Sequence, residues 1–258
     1  MPGSVFCAKL LARNKPLNIG HRGAMASAPQ NTLAAFRKAV EFGADGVELD
    51  VQLCQDGAVV VIHDFVVDGT TDGAGRVAEK TLAELKALDA GSKFSPQFAG
   101  ERIPTLSEAF DVLEGKLLVN VELKAPLKSR DTSLAAPALE VVRTHGMEKR
   151  VLFSSFNHHV LRAMKQLAPG IPIGLLYAPH SPVYARRAWL DPFEPHEARN
   201  PHFSMLTGPI IRWYHTRGLR VNTWTVNEPD EMRRLIAAGV DGIITNKPDV
   251  LKDVLRAA

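Results

Sequence analysis

The sequence predicts an α/β fold, namely a closed (β/α)₈ barrel of the TIM type with a small insertion over the C-terminal face. Strand-like and helix-like segments alternate almost to the end of the chain, and this alternation favours a parallel sheet. Eight strand candidates take part in it, which is the number that closes such a barrel. The length of 258 residues is one that these barrels commonly fill as a single domain.

Short apolar runs bounded by turn-forming or charged residues mark the predicted strands. The predicted strands are 17–21, 46–50, 117–123, 151–155, 171–177, 203–206, 220–226 and 242–245.

The predicted helices begin at capping residues and end near glycine. The segment 31–43 begins at Asn-Thr, carries apolar residues at helical spacing and ends at Gly43, as amphipathic helices commonly do. The same pattern predicts helices over 105–115, 159–170 and 227–239.

One segment interrupts the alternation, because only a Gln-Asp-Gly turn separates the apolar runs 46–53 and 58–64. A parallel crossover needs a much longer connection, so the segment is predicted to be a hairpin. Folding about the two residues Asp56-Gly57 would pair position 50 with position 63. We therefore expect His63, although it lies outside the eight strands, to return to the barrel rim beside Asp50.

The domain prediction is a lead-in over 1–16 followed by a single barrel domain over 17–258. Residues 64–104 are rich in turn formers and contain one short helical pattern, so they are predicted to form a small cap rather than a second domain. A second long connection, 178–202, is also predicted to cross the catalytic face.

Composition and charge exclude several classes of protein. The chain is 45% hydrophobic and 23% charged with a net charge of +3, and its scattered Lys and Arg residues do not form a nucleic-acid-binding surface. No apolar run is long enough to span a bilayer. Two cysteines suit a reducing compartment, and 1–16 does not resemble a signal peptide because Lys9 interrupts it. We therefore predict a cytoplasmic protein without stable membrane insertion.

Four of the apolar runs end in charged or titratable residues. The carboxyl ends of parallel barrel strands meet at one face, where barrel enzymes build their active sites. Together these tips would supply carboxylates, imidazoles and cations, which is what metal-assisted attack on a phosphate ester requires. The residues at the four tips are His21 and Arg22, Glu48 and Asp50, His63 and Asp64, and Glu122 and Lys124.

The three carboxylates Glu48, Asp50 and Glu122 are hard oxygen ligands suited to Mg²⁺ or Ca²⁺. The alternative is that they cap helices or pair with lysines. Their predicted convergence favours the metal site, because like charges packed together are costly unless a cation joins them. His21 and His63 are candidates for an acid–base pair, whereas a lone histidine at a strand end is more often structural.

Arg22 and Lys124 are candidates for contacts with a phosphoryl group, and pairing with the carboxylates is the compatible alternative. Gly23 would allow a tight turn after the first strand. Trp224 is expected to point to the same side as Asn222, where it would either line the pocket or belong to the core. His202 is interpreted as a loop residue that precedes the sixth strand.

Segments spread over most of the chain, from about Leu17 to about Val250, are similar in combination to those of one known family. They are HRG, APQNTLAAFRKAVEFGADGVELDVQLCQDGAVVVIHD, GERIPTLSEAF, VNVELK, SSF and RVNTWTVNEPDEMRRLIAAGVDGIITNKPD. This set resembles the glycerophosphodiester phosphodiesterases.

The resemblance implies a TIM barrel with a small insertion after the HD motif, and it implies a role for each motif. The HRG motif would supply the catalytic His21 and a phosphate contact, Arg22, and the HD motif would supply the second catalytic histidine, His63. The ELD motif would supply the metal ligands Glu48 and Asp50, and the ELK motif the third ligand, Glu122, and a phosphate contact, Lys124. The WTVN segment would place Trp224 beside the substrate.

Three positions depart from the pattern of the family. Gln30 stands in place of a glutamate, Asn246 in place of an aspartate, and Gly69 in place of an arginine. Gln30 keeps hydrogen-bonding capacity without charge, which leaves open what the glutamate would contribute. The seven core positions of the HRG, ELD, HD and ELK motifs are all present, so an active enzyme is expected.

The expected activity is metal-dependent hydrolysis of glycerophosphodiesters to sn-glycerol 3-phosphate and an alcohol, with two histidines as acid and base. The nucleophile would be either the glycerol 2-hydroxyl or water. Two alternatives stay open, a related barrel phospholipase that acts on an intact lipid headgroup and a non-catalytic barrel that binds phosphodiesters. The preferred headgroup, the choice between Mg²⁺ and Ca²⁺ and the oligomeric state are also open.

Overall fold

The computed structural model describes residues 15–113, 115–186 and 196–257. Eight parallel strands form a closed barrel, and a ninth strand, β3, runs antiparallel to β2. The barrel closes because β1 pairs with both β2 and β9. The strands are β1 Leu17–His21, β2 Gly46–Leu53, β3 Val59–Val61, β4 Leu118–Leu123, β5 Val151–Ser155, β6 Ile173–Tyr177, β7 Ala198–Pro201, β8 Arg220–Thr223 and β9 Gly242–Thr245. The predicted (β/α)₈ barrel is confirmed.

Helices flank the barrel and follow most of its strands. Thr32 caps the first helix by accepting a hydrogen bond from the backbone N–H of Ala35, as its Asn-Thr start predicts. The α-helices in the described part of the chain are α1 Leu33–Glu41, α2 Leu82–Ala87, α3 Leu106–Leu113, α4 Ala135–Thr144, α5 His158–Leu167, α6 Val183–Arg186, α7 Gly208–His215, α8 Pro229–Ala238 and α9 Pro248–Ala257.

The alternation of side chains along the strands separates the core from the site. In β2, Val47, Leu49 and Val51 are fully buried in the apolar layer between barrel and helices. Glu48 and Asp50 therefore point the other way, into the barrel. A smaller apolar cluster forms the floor of the barrel beneath them and contains Leu17, Ile19, Leu118, Leu152, Ala198 and Ile244.

The sixth strand of the barrel, β7, lies at a different place from the one that the sequence predicts. A strand was predicted over 203–206, but the strand is Ala198–Pro201, and Phe203–Met205 is a 3₁₀ turn. The prediction was wrong because it followed apolar letters, whereas Ala198–Pro201 contains Arg199 and Asn200. Arg199 is completely buried, with its guanidinium 5.5 Å from the centre of the Tyr177 ring.

The hairpin is present, but its register differs from the prediction by one residue. Leu53 pairs with Val59 and Val51 with Val61, so Asp50 lies opposite Ile62 rather than His63. The turn contains three residues instead of two, because the backbone N–H of Cys54 donates to the carbonyl of Ala58. Gly57 completes it with a φ of +83°, as glycine does in three-residue hairpin loops.

The insertion 64–104 contains two 3₁₀ turns and α2. Its own apolar cluster joins it to the hairpin, since Val67, Val77 and Leu85 pack with Val60 and Ile62. The insertion is thereby fastened to the strand that carries His63. The predicted domain limits stay a prediction, and most of the predicted lead-in over 1–16 lies outside the described residues. Among the residues that the structure describes, no helix is long and apolar enough to cross a membrane.

Candidate active site

Three carboxylates converge at the carboxyl end of the barrel. Glu48 and Asp50 come from β2 and Glu122 from the neighbouring β4, where Asp50 and Glu122 are register partners. One oxygen of each lies within 4.8 Å of the others, and all three residues are buried. The predicted convergence of these carboxylates is therefore observed.

The three carboxyl groups titrate differently because their surroundings differ. Burial, reinforced by the charge of Asp50, raises the pKa of Glu48 well above its usual range. Burial also raises the pKa of Glu122 to about 7, although Lys124 opposes the shift. The pKa of Asp50 falls to about 2, because the attraction of Lys124 and Arg22 outweighs the effect of burial. Three charges are thus costly to keep together without a cation.

Lys124 and Arg22 both lie beside the carboxylates and contact different oxygens of Asp50. Lys124 Nζ donates to Glu122 Oε1 at 2.8 Å and lies 3.5 Å from Asp50 Oδ1. Arg22 Nε lies 3.3 Å from Asp50 Oδ2. Both cations therefore pair with the carboxylates of the cluster.

A tight turn after β1 brings Arg22 to this position. Arg22 has a φ of +51°, and its backbone N–H donates to Glu48 Oε2 at 3.0 Å. A Cβ at Gly23 would stand 2.6 Å from the backbone of Ala35, which confirms the predicted need for glycine. Arg22 Nη1 donates to Gln30 Oε1, so the amide at this position orients the guanidinium.

Asn31 supports Asp50, one carboxylate of the cluster, although the sequence indicated only a helix start there. Its Nδ2 donates to Asp50 Oδ2 at 2.9 Å, and its Oδ1 accepts from the backbone N–H of Asp50 at 3.4 Å. The residue is buried and has a φ of +57°, a conformation that asparagine tolerates better than most residues. That tolerance is the one signal from which this role could have been suspected.

His21 lies at the end of β1 beside the cluster. Its Nδ1 is 2.7 Å from Asn246 Oδ1, and its Nε2 is 3.9 Å from Glu48 Oε2. Burial, together with the positive charge of Arg22, lowers the pKa of His21 to about 4. The imidazole is therefore neutral near pH 7. Asn246, identified from the sequence only as a departure from the family pattern, is its direct partner.

His63 returns to the same rim on the hairpin, as predicted, despite the shifted register. Its Nδ1 is 2.7 Å from Asp64 Oδ1, so Asp64 orients its neighbour. Burial lowers the pKa of His63, while the nearby Asp50 opposes the shift. Gln52 fixes this segment, because its buried Nε2 lies within 3.1 Å of the carbonyl oxygens of Ile62, His63 and Asp64. The sequence did not single out Gln52.

Trp224 directly follows β8 at the carboxyl end of the barrel and packs against the apolar cluster inside it. Its Nε1 donates to the carbonyl of Asn200 at 2.8 Å. Its ring makes edge contacts with Phe156 at 5.4 Å and His202 at 5.3 Å between centroids. Because β7 ends at Pro201, His202 follows a barrel strand instead of preceding one, which corrects its predicted position. Phe156 and His202 therefore share the catalytic rim with Trp224.

The donor set of the cluster fits a hard divalent cation. Oxygen ligands from three carboxylates suit Mg²⁺ or Ca²⁺, with water in the remaining positions. Asp50 Oδ1 is buried and accepts no hydrogen bond within the described part of the chain, so a lone pair is left for a ligand. The site combines this cluster with two imidazoles and two cations, a set suited to phosphoryl chemistry.

Comparison with known proteins identifies the family. The family model described as the glycerophosphoryl diester phosphodiesterase family matches residues 21–250. The chain belongs to this family. A glycerophosphodiester phosphodiesterase of Caldanaerobacter subterraneus subsp. tengcongensis is 43% identical over 249 residues, which are 94% of this chain and 98% of the relative.

Solved structures of glycerophosphodiester phosphodiesterases and of a related phosphodiesterase have the same fold. An Oleispira antarctica phosphodiesterase in complex with the product sn-glycerol-3-phosphate is 32% identical, with a TM-score of 0.86 over 94% of this chain and 97% of that chain. The glycerophosphodiester phosphodiesterase of Agrobacterium tumefaciens str. C58 is 28% identical, with a TM-score of 0.79 over 91% and 98%. The predicted resemblance is confirmed, and the chain is a phosphodiester hydrolase of this family.

Proposed function

We propose that the chain catalyses metal-dependent hydrolysis of glycerophosphodiesters to sn-glycerol 3-phosphate and an alcohol, with two histidines as general acid and base. The observation that carries the proposal is the buried cluster of Glu48, Asp50 and Glu122 within 4.8 Å, with an imidazole from β1 and another from the hairpin beside it. The product bound to the Oleispira antarctica phosphodiesterase supports the choice of substrate.

Glu48, Asp50 and Glu122 would hold the cation, Mg²⁺ or Ca²⁺. When bound, the cation offsets charge that builds on the non-bridging phosphate oxygens. Arg22 and Lys124 would bind the same phosphoryl group, because their present carboxylate partners would then face the cation. The raised pKa of Lys124, which its carboxylate neighbours sustain against the effect of burial, keeps this ammonium charged at neutral pH.

His21 and His63 would move the two protons that hydrolysis requires. One neutral imidazole accepts the proton of the attacking hydroxyl as the new P–O bond forms. The other, as imidazolium, donates a proton to the alcohol oxygen as the old P–O bond breaks. Each ring is held through Nδ1, so Nε2 of each is left for the substrate. The attacking group is the glycerol 2-hydroxyl or water.

The aromatic residues at the mouth would contact the small-molecule substrate. Trp224 would line the substrate site together with Phe156 and His202, whose rings contact it. A cytoplasmic location and the absence of a nucleic-acid partner stay predictions from cysteine content, charge and composition.

A phospholipase activity on intact lipid headgroups is a second candidate that one observation favours. Phe65 and Val66 directly follow the His63-Asp64 pair, and 40% and 39% of their surfaces are exposed. Exposed apolar side chains next to a reactive site are suited to a lipid surface. Faster cleavage of phosphatidylcholine in mixed micelles than of glycerophosphocholine would favour this candidate over the first.

The test of the proposal is the release of sn-glycerol 3-phosphate from glycerophosphodiesters of choline, ethanolamine, inositol and glycerol. We expect EDTA to abolish release and added Mg²⁺ or Ca²⁺ to restore it. We expect His21→Ala and His63→Ala each to lower kcat by about 10²–10⁴-fold while circular dichroism stays unchanged. The matched control is His145→Ala, since His145 bonds Ser107 on the outer helices. Metal-independent release, or full activity of either site variant, would refute the proposal.

A further inference from the structure

The side chain of Asn246 meets the nitrogen of His21 that faces away from the carboxylates. Asn246 follows β9, the strand that pairs with β1, and its Oδ1 lies 2.7 Å from His21 Nδ1. In a neutral imidazole one nitrogen donates and the other accepts. An amide oxygen can only accept, so this contact requires the proton on Nδ1 and leaves a lone pair on Nε2.

No other contact in the described part of the chain competes for the proton of the ring. Glu48 Oε2, the carboxylate oxygen nearest to Nε2, is 3.9 Å away, which is too far for a hydrogen bond. That oxygen already accepts the backbone N–H of Arg22 at 3.0 Å. The position of the ring proton is therefore decided on the Asn246 side.

The backbone of Asn246 is held from two directions. Its N–H donates to Asn227 Oδ1 at 2.9 Å, and its carbonyl accepts from the backbone N–H of Ala26 at 3.1 Å. Asn227 follows β8 and Ala26 lies in the loop after β1, so neighbouring segments fix the backbone from which the side chain of Asn246 extends. Asn246 itself is only partly buried, and its Oδ1 faces the ring of His21.

We propose that Asn246 is a positioning residue, which holds His21 in the tautomer with the proton on Nδ1 and directs the unprotonated Nε2 toward the substrate. The partner of His63 at the equivalent nitrogen is the carboxylate of Asp64. An amide stabilises an imidazolium less than a carboxylate does. The pairing with Asn246 therefore suits His21 to take a proton rather than to carry one. This inference rests on the proposed function only for its effect on rate.

Nuclear magnetic resonance of the Mg²⁺-saturated, ¹⁵N-histidine-labelled protein tests the tautomer directly. The spectrum of His21→Gln identifies the His21 signals. We expect the proton on Nδ1 in the natural protein, loss of that preference in Asn246→Ala, and its return in Asn246→Asp, because an ionised carboxylate can only accept. The matched control is Asn222→Ala, which removes a buried amide that bonds Asn200 instead of His21 and leaves the His21 signals unchanged.

Kinetics with glycerophosphocholine provide the second readout. We expect Asn246→Ala to lower kcat about 10–100-fold, as loss of a partner outside the reacting groups commonly does, with KM changed less than about twofold, and Asn246→Asp to recover most of the loss. A proton on Nε2 in the natural protein, or unchanged tautomer and kcat in Asn246→Ala, would overturn the inference. A correct tautomer in a protein that cleaves no phosphodiester would instead refute the proposed function and leave the role of Asn246 intact.

Discussion

At the scale of single residues, the carboxylates of the cluster differ in charge because each has different neighbours. The charges of Lys124 and Arg22 and a hydrogen bond from Asn31 stabilise the carboxylate of Asp50. Asp50 therefore stays ionised near neutral pH. Burial raises the pKa values of Glu48 and Glu122, so these two carboxyl groups resist ionisation. Under the proposed function, Asp50 would meet the cation already ionised, whereas Glu48 and Glu122 would lose their protons as the cation binds.

Asn31 provides a residue-scale prediction, because its amide supports Asp50 without touching the metal position. We expect Asn31→Gly to weaken Mg²⁺ binding about 10–100-fold, the usual cost of removing such a support, as measured by calorimetric titration. Glycine adopts the φ of +57° at no steric cost, so the variant removes the amide alone.

Asn31→Ala is the companion variant, since it removes the same amide and adds backbone strain. Equal affinities of the two variants for Mg²⁺ would assign the effect to the amide. A normal affinity in Asn31→Gly would show that Asp50 needs no support from residue 31.

At the scale of elements, the hairpin of β2 and β3 is the part of the fold that delivers His63. Its turn takes up one residue more than the sequence predicts, yet His63 still reaches the rim. The reason is Gln52, which lies on the same face of β2 as Glu48 and Asp50 and gathers the three carbonyls that follow β3. The position of His63 therefore depends on the Gln52 side chain as well as on strand pairing.

We expect Gln52→Ala to lower kcat about 10–100-fold, because misplacement of a catalytic group by about 1 Å has effects of this size. It should also lower stability by about 1–3 kcal/mol, the cost of leaving buried carbonyls without donors. Steady-state kinetics and thermal unfolding measure the two effects. The control is Gln55→Ala in the exposed turn of the same hairpin, and equal behaviour of the two variants would contradict the role of Gln52.

β7 illustrates a different limit at the same scale. The segment Ala198–Pro201 contains arginine and asparagine, whose side chains are buried. A sequence with these polar residues does not predict a buried strand. The guanidinium of Arg199 packs against the rings of Tyr177 in β6 and Tyr214 in α7. These contacts with other elements stabilise the buried arginine. The error shifted the strand by five residues and hid the place of His202 on the catalytic rim.

At the scale of the whole molecule, the raised pKa values of Glu48 and Glu122 would link the proposed metal binding to stability and pH. The folded protein without metal holds protons on these groups that the unfolded chain releases above the ordinary value of 4.5. Their contribution to stability is present at low pH and is lost as the pH rises through about 7, the folded pKa of Glu122. Asp50, with a folded pKa of about 2, has the opposite effect only in strong acid.

We therefore expect the rise in Tm caused by Mg²⁺ to be larger at pH 8 than at pH 5.5, because metal ligands must be deprotonated. At 100 times Kd a ligand adds about 2.7 kcal/mol, which corresponds to about 5–10 °C for a chain of this size. Differential scanning calorimetry with and without Mg²⁺ at both pH values measures this rise in Tm.

The control is the variant Glu122→Gln, whose amide at position 122 has no proton to lose. Its rise in Tm with Mg²⁺ should differ less between the two pH values than that of the natural protein. An equal Tm rise at both pH values would exclude the linkage.

The local sequence by itself determined the fold class of this protein and the main residues of its candidate site. Alternating strand and helix patterns predicted the barrel, and charged residues after apolar runs predicted the cluster, because parallel strands end at one face whatever their side chains are. Only the tertiary structure decided which side chains complete the site. Asn31, Gln52 and Asn246 act through hydrogen bonds to other elements, and no spacing along the chain specifies such partners. A strand leaves its signature in its own residues, whereas a hydrogen bond between strands depends on the packing of both.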